Sequence, residues 1–141
     1  EGRYRNREVL IKMKVKEIMK PVFAAPPSMT VKEAAKTMAD KKLGSVLVVD
    51  KGNTLGIVTE GDVIKAVAEN VNIINCSISK IMSKTLLTVE PDDDIDDAAA
   101  IMRDNKIKRV PVIDDNGKLV GIVKITDVIA NYDDIEDKSL F

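Results

Sequence analysis

Two aspartates, Asp62 and Asp127, sit where the chain's pattern points to chemistry. Each closes a copy of one short motif, Gly56-Ile57-Val58-Thr59-Glu60-Gly61-Asp62 and Gly121-Ile122-Val123-Lys124-Ile125-Thr126-Asp127. In each copy an apolar run, Leu55–Val58 or Leu119–Val123, reads as a buried strand. An apolar-periodic segment follows, with Val63, Ile64 and Val67 in the first copy and Val128 and Ile129 in the second. Strand, tight turn and helix start therefore put an Asp in a first helical turn twice. Unpaired amides and a positive partial charge at such a place suit an anion such as phosphate. A plainer reading stands beside it. Thr59-x-x-Asp62 is also a capping-box pattern, in which hydroxyl and carboxylate satisfy the orphan amides. Caps are far commoner than ligand sites, and it is the repetition that favours a site.

Few other residues can do chemistry. The 141 residues contain no histidine, so the commonest general base and the commonest zinc ligand are both missing. Cys76 is the single cysteine, which excludes an internal disulfide and any Cys-x-x-Cys site and fits a cytoplasmic location. No Gly-x-Gly-x-x-Gly and no Gly-Lys-Ser/Thr phosphate loop occurs. Glu60 beside Asp62 resembles an acid/base pair, yet no nucleophile or electrophile accompanies it. The run Asp92-Asp93-Asp94-Ile95-Asp96-Asp97 lacks the glycine and terminal Glu of a calcium loop and reads as a helix start. The chain is accordingly expected not to be an enzyme and to hold neither metal nor catalytic cofactor.

A formal net charge of −1 and only Phe23, Phe141, Tyr4 and Tyr132 as aromatics argue against a nucleic-acid platform. The composition, 45% hydrophobic and 32% charged, is that of a globular domain, and no apolar run approaches a bilayer span. Glu1 is not an initiator, so the chain reads as a processed end or a piece of a longer protein, without a signal peptide.

The elements that position the two aspartates are themselves doubled. Val15-Lys-Glu-Ile18-Met19 matches Ile78-Ser-Lys-Ile81-Met82 as a short helical turn. Val22-Phe23-Ala24-Ala25 and Leu86-Leu87-Thr88-Val89 read as extended, each close to proline. Thr30…Glu33 and Asp94…Asp97 read as capping boxes or close variants. Behind them Val31, Ala34, Ala35, Met38 and Ile95, Ala98, Ala99, Met102 follow the spacing of an amphipathic helix. Val46–Val49 and Val110–Ile113 are then strands, joined by the turns Asp50–Asn53 and Asp114–Gly117 to the strands of the closing motif. The order short helix, strand, helix, strand, strand, helix occurs twice.

This doubled unit resembles a pair of CBS domains, the arrangement often called a Bateman module. The first copy's Gly-hydrophobic-hydrophobic-Thr-x-x-Asp close and the second copy's Val110-Pro111-Val112-Ile113-Asp114 strand carry the likeness, which spans roughly residues 15–131. The resemblance implies an α/β (α+β) fold of two tandem pseudosymmetric repeats packed through their sheets. It implies a regulatory sensor, with an adenosine-containing ligand (AMP, ADP, ATP or S-adenosylmethionine) in clefts between the repeats. By position, Asp62 would take ribose hydroxyls and Thr59 phosphate. In the second copy Asp127 is kept but Lys124 replaces the threonine. Lysine cannot cap a helix but can pair with phosphate as a point charge. Thr126 is then the alternative cap, and the Asp127 site departs from the family pattern or takes a different number of phosphates. Lys108 and Arg109 are the leading phosphate ligands, with a solvated charged edge as the equal alternative. Gly44 and Ser45 resemble adenine-side positions. Ala24, Ala25, Leu87 and Thr88 are candidates for the adenine wall or, equally, for core.

The expected division is a basic lead-in at 1–14, repeats at 15–70 and 78–134, a connector at 71–77 and a tail at 135–141. A homodimer of CBS pairs is expected, with an effector protein the sequence does not identify and no membrane. Two rivals remain: a scaffold that binds no nucleotide, and nucleic-acid binding through Arg3, Arg5, Arg7, Lys12 and Lys14 with Lys106, Lys108 and Arg109.

Overall fold

The computed structural model of the chain describes residues 13–132, so Arg3, Arg5, Arg7, Lys12 and the tail at 135–141 lie outside the described residues. The chain divides into two compact units: Val22–Leu86, and Leu87–Phe141 joined by Glu1–Pro21. These are called here the early and the late unit.

In the early unit the order is β1 (Ala24–Ala25), α1 (Val31–Lys41), β2 (Ser45–Asp50), β3 (Asn53–Thr59) and α2 (Glu60–Glu69). The sheet runs β1-β2-β3, with β1 parallel to β2 and β3 antiparallel to it. Helix α1 starts as its sequence dictates. Thr30 Oγ1 accepts the Glu33 N–H at 3.1 Å, and Glu33 reaches back to the Thr30 N–H. It ends at Lys42 in the left-handed region, where the Leu43 N–H donates to the Met38 carbonyl. The β2–β3 turn holds Lys51 at φ 52° and Gly52 at φ 81°, the pair of positive angles a two-residue hairpin requires. Val31, Ala34 and Met38 of α1 pack on Val46, Val48 and Val58 of the sheet, with Ala25 and Ile78 completing the core.

In the late unit α3 (Ile95–Asn105) precedes the hairpin β4 (Arg109–Ile113) and β5 (Leu119–Lys124), followed by α4 (Ile125–Ala130). Asp114 Oδ1 accepts the N–H groups of Asn116 and Lys118, and Gly117 takes the positive φ. Ile95, Ala98 and Met102 of α3 pack with Val110, Val112, Val123, Val128 and the buried Tyr132.

Three expectations need correction. The extended stretch before α3 is not a full strand: only Val89 bridges, parallel, to Val112. Asp94 stands at the α3 N-cap but makes no cap bond, because its carboxylate takes the Lys14 ammonium at 3.0 Å. Leu55, read as buried, is 37% exposed, since the core-facing positions of β3 are the alternate ones. The stretch 71–77 is also ordered, with a 3₁₀ turn over Val71–Asn75.

The short turns leading into the repeats change places. The 3₁₀ turn Val15–Glu17 packs in the late unit, where Val15 and Ile18 are buried beside Ile95 and Val89. The 3₁₀ turn Ile78–Lys80 packs in the early unit, with Ile78 fully buried. Matching backbone bonds fix both: Val15 N–H to the Asp93 carbonyl and Ile78 N–H to that of Met29, each 2.8 Å. The chain beyond each turn then adds to the free side of a hairpin. Lys20 bridges Ile122, and Ser83 bridges Ile57. Two glycines let it pass. A Cβ on Gly56 would stand 2.6 Å from the Ser83 carbonyl oxygen, and one on Gly121 would stand 2.9 Å from Met19 Sδ.

Candidate functional site

In the early unit the candidate residues meet where β2 begins and β3 ends. Ser45 lies directly opposite Thr59, and the Glu60 N–H donates to the Gly44 carbonyl at 3.1 Å. That bond seats the start of α2 against the start of β2, so Gly44, Ser45, Thr59 and Asp62 come together. Thr59 is the N-cap of α2. Its Oγ1 accepts the Asp62 N–H at 3.2 Å, and Asp62 Oδ2 accepts the Thr59 N–H at 2.8 Å. The capping box is thus complete. Among the described residues Asp62 Oδ1 is left over, and a carboxylate has acceptor capacity beyond one bond. Ala24 and Ala25 lie on the neighbouring strand opposite Leu47 and Val48; Ala24 is exposed, while Ala25 belongs to the core.

The late unit repeats this arrangement with different side chains. Arg109 lies directly opposite Lys124, and the Ile125 N–H donates to the Lys108 carbonyl at 2.8 Å. Helix α4 therefore begins in the same register as α2, with Lys124 at the N-cap and no side-chain cap bond. This corrects the expectation that Thr126 caps: the strand pairing fixes the helix start, and Thr126 falls inside the first turn. Asp127 stands at the position of Asp62, but its Oδ2 is buried and has no hydrogen-bond partner among the described residues. Lys108 is exposed, and Arg109 and Lys124 are half-buried. Leu87 and Thr88 are exposed on the segment leading to Val89 and are not placed beside Asp127 by any strand pairing.

Arg109 and Lys124 were each legible as cations, but their direct opposition was not. A count back from the hairpin turn comes close. The irregularity between Val112 and Ile113 then displaces the register by one residue, as the one between Val48 and Val49 does in the early unit.

Electrostatics elsewhere are local. Lys16 bonds Asp92 at 2.8 Å and holds that carboxyl below the usual aspartate range, while Asp94 raises the Lys14 ammonium. The acidic run is thus bound to the lead-in turn. Among the described residues no group of acidic or thiol side chains is arranged to hold a metal, and no helix is long and apolar enough to cross a membrane.

Comparison with known proteins follows the same lines. The sequence model of the CBS domain family matches residues 15–69 and 78–134. An uncharacterised protein of Methanopyrus kandleri is 40% identical over 110 residues, 77% of this chain and 56% of that protein. The CBS domain pair of protein MJ0100, solved with 5′-methylthioadenosine and S-adenosyl-L-methionine, superposes with a TM-score of 0.78 at 33% identity. The match covers 85% of this chain and 95% of that one. A CBS domain protein of Pyrobaculum aerophilum complexed with AMP gives 0.76 at 28% identity, covering 82% and 89%. The chain spans 36 to 65% of the length of the first three curated relatives it matches.

Proposed function

The chain belongs to the CBS domain family, and from that premise we propose that it is a regulatory module that binds an adenosine-containing ligand and is not itself a catalyst. The ligand class is AMP, ADP, ATP or S-adenosylmethionine. The observation that carries this reading is the doubled seat of strand end and helix start, with an Asp at the third helical position in both units. Relatives of the same fold, solved with S-adenosylmethionine, 5′-methylthioadenosine or AMP, support it. Its chemistry is simple. Ionised carboxylates accept the O–H groups of vicinal hydroxyls, and cations at the adjoining strand ends suit phosphate. The ligand regulates by biasing the module between conformations, and can do so only by its difference in affinity for them. The regulated partner belongs to an attached or separate protein.

A homodimer is part of the proposal. Helix α2 has no buried residue, and Ile64 on it is 70% exposed, with Val71 just beyond at 62%. Sedimentation of Ile64→Asp tests this: a dimer that dissociates in the variant supports the second copy as occupant, and unchanged mass removes it.

Isothermal titration of the chain, freed of carried-over ligand, with the four compounds tests the main reading. Saturation at one or two sites per chain with a micromolar constant, about −8 kcal/mol, is expected. Flat heats at two temperatures, together with no thermal shift at high ligand, would leave a scaffold in its place.

A further inference from the structure

Helices α2 and α4 begin in the same register but are secured differently. In the early unit the Glu60 N–H donates to the Gly44 carbonyl, and the capping box of Thr59 and Asp62 adds two bonds across the same turn. That start is locally self-contained. In the late unit the Ile125 N–H donates to the Lys108 carbonyl, but Lys124 supplies no cap bond. A helix of six residues is far too short to be stable by itself, and this one also lacks a cap. Its first turn therefore depends on the strand that delivers it.

That strand, β5, is held along both edges. Strand β4 pairs with one. The lead-in segment covers the other: Lys20 and Ile122 exchange both backbone bonds, at 2.9 and 3.0 Å, just before the N-cap at Lys124. The remaining attachments of this segment form one compact set. Val15 and Ile18 are buried in the late core with Val89 and Ile95. Val15 and Lys16 donate their N–H groups to the carbonyls of Asp93 and Pro91, and the Ile95 N–H donates to that of Met13. Lys14 and Lys16 pair with Asp94 and Asp92 at 3.0 and 2.8 Å. In the early unit the segment Ile78–Ser83 lies along β3 through the same two-way bonding of Ser83 and Ile57. Among the described residues no ion pair holds it. The segment clamped by charge is thus the one that lies on the strand leading to the uncapped helix. Surface ion pairs are individually weak and yield to salt or to a competing charge. A clamp of that kind can open locally while the rest of the domain stays folded.

We infer that residues 13–20 are a strap whose docking sets the start of α4. The docked strap and the formed helix start are one cooperative state, and release of either loosens the other. Linkage makes the dependence reciprocal. Anything that grips the lead-in shifts the start of α4 and the Asp127 of its first turn; anything that fixes that turn holds the lead-in in place. The early unit has no such dependence, because Thr59 and Asp62 secure its helix directly. The inference goes beyond the adenosine reading and stands or falls without a ligand.

The test is hydrogen exchange on the full chain, free of ligand. Two variants are compared with the original. Lys14→Glu combined with Lys16→Glu turns both ion pairs into repulsions at solvent-accessible positions, and Val15→Ala shortens a buried anchor. In each, the Lys20, Ile122 and Ile125 amides are expected to lose protection by a common factor, about tenfold or more for the charge reversal. The matching amides of the early unit, Ser83, Ile57 and Glu60, should stay within about twofold. Adding Lys124→Thr to either variant gives α4 the cap that α2 has, so Ile125 should regain protection while Lys20 does not. Loss at Lys20 and Ile122 with Ile125 unchanged overturns the inference, since strap and helix are then independent. Lys20 unchanged in both variants overturns it too, because no separable strap exists. A loss at Ile125 that persists after Lys124→Thr does the same, by removing the missing cap as its cause.

Discussion

Replacing Gly56 with alanine should destabilise the protein more than the same change at Gly121, although the two glycines hold equivalent places. At Gly56 the new methyl would meet the Ser83 carbonyl oxygen at 2.6 Å, before Met82 Sδ at 2.9 Å. Backbone must therefore move, and what moves is held by two bonds: Ile57 N–H to the Ser83 carbonyl at 3.1 Å and Ser83 N–H to that of Ile57 at 2.9 Å. Overpacking costs about 1–3 kcal/mol, and weakening two backbone bonds adds roughly 1 kcal/mol. At Gly121 the first atoms met are Met19 Sδ and Cγ, at 2.9 and 3.0 Å, with the Lys20 carbonyl oxygen at 3.1 Å. A methionine side chain adjusts its rotamer readily, so about 1–2 kcal/mol is expected there. Urea denaturation at constant m reads both losses. A double-mutant cycle separates the causes. Met19→Ala should recover much of the Gly121→Ala defect, whereas Met82→Ala should recover little of the Gly56→Ala defect. Equal losses, or full rescue by Met82→Ala, would refute the reasoning that backbone is the obstacle at Gly56.

Thr59→Ala removes a complete capping box and should lower stability by about 1 kcal/mol, while Lys124→Thr supplies a cap where none exists and should raise it by up to a similar amount; thermal melts without ligand distinguish the signs. Ile18→Ala should destabilise by about 2–4 kcal/mol, and hydrogen exchange should place the lost protection in α3 and β4 rather than in the early unit, because Ile18 packs with the late core. Acid should loosen the lead-in turn. The Asp92 carboxyl is depressed by Lys16, so its contribution is present at neutral pH and is lost as pH falls through its lowered folded value. The Lys14 ammonium is raised by Asp94, so its share persists until strongly alkaline pH. Protection of the Val15 and Lys16 amides, which donate to the carbonyls of Asp93 and Pro91, should therefore fall on the acid side and hold on the mildly alkaline side.

Much of this fold is written in local signals. The capping pair Thr30 and Glu33, the spacing of Val31, Ala34 and Met38, and the positive-φ turn residues each specify an element without help from distant chain. The signals failed where the decision was long-range. Val15 and Ile78 head matching segments, but nothing in their own sequence says which unit each packs into; that is fixed by bonds to Asp93 and Met29. The Asp94…Asp97 box failed because Lys14, 80 residues away, competes for the same carboxylate. The candidate residues were legible as types. Their pairing across the hairpins was not, since the irregularities at Val48/Val49 and Val112/Ile113 shift the register by one.

Doubling of a motif is evidence for a site only if capping does not account for both copies. In the early unit it could: Thr59 and Asp62 satisfy each other's amides in a complete capping box. The late unit removes that explanation. Its helix begins without a capping side chain, and its aspartate oxygen is buried without a hydrogen-bond donor among the described residues. Each of these features opposes folding: a missing cap costs about 1 kcal/mol and an unmet buried acceptor about 1–3 kcal/mol. A sequence under pressure for stability alone would retain the threonine that the first repeat carries. Local features that work against stability and gather at one place mark sites where something other than folding is being served. The second repeat, which departs from the family pattern, is on that ground the stronger candidate for ligand recognition, and the first repeat the stronger candidate for scaffold.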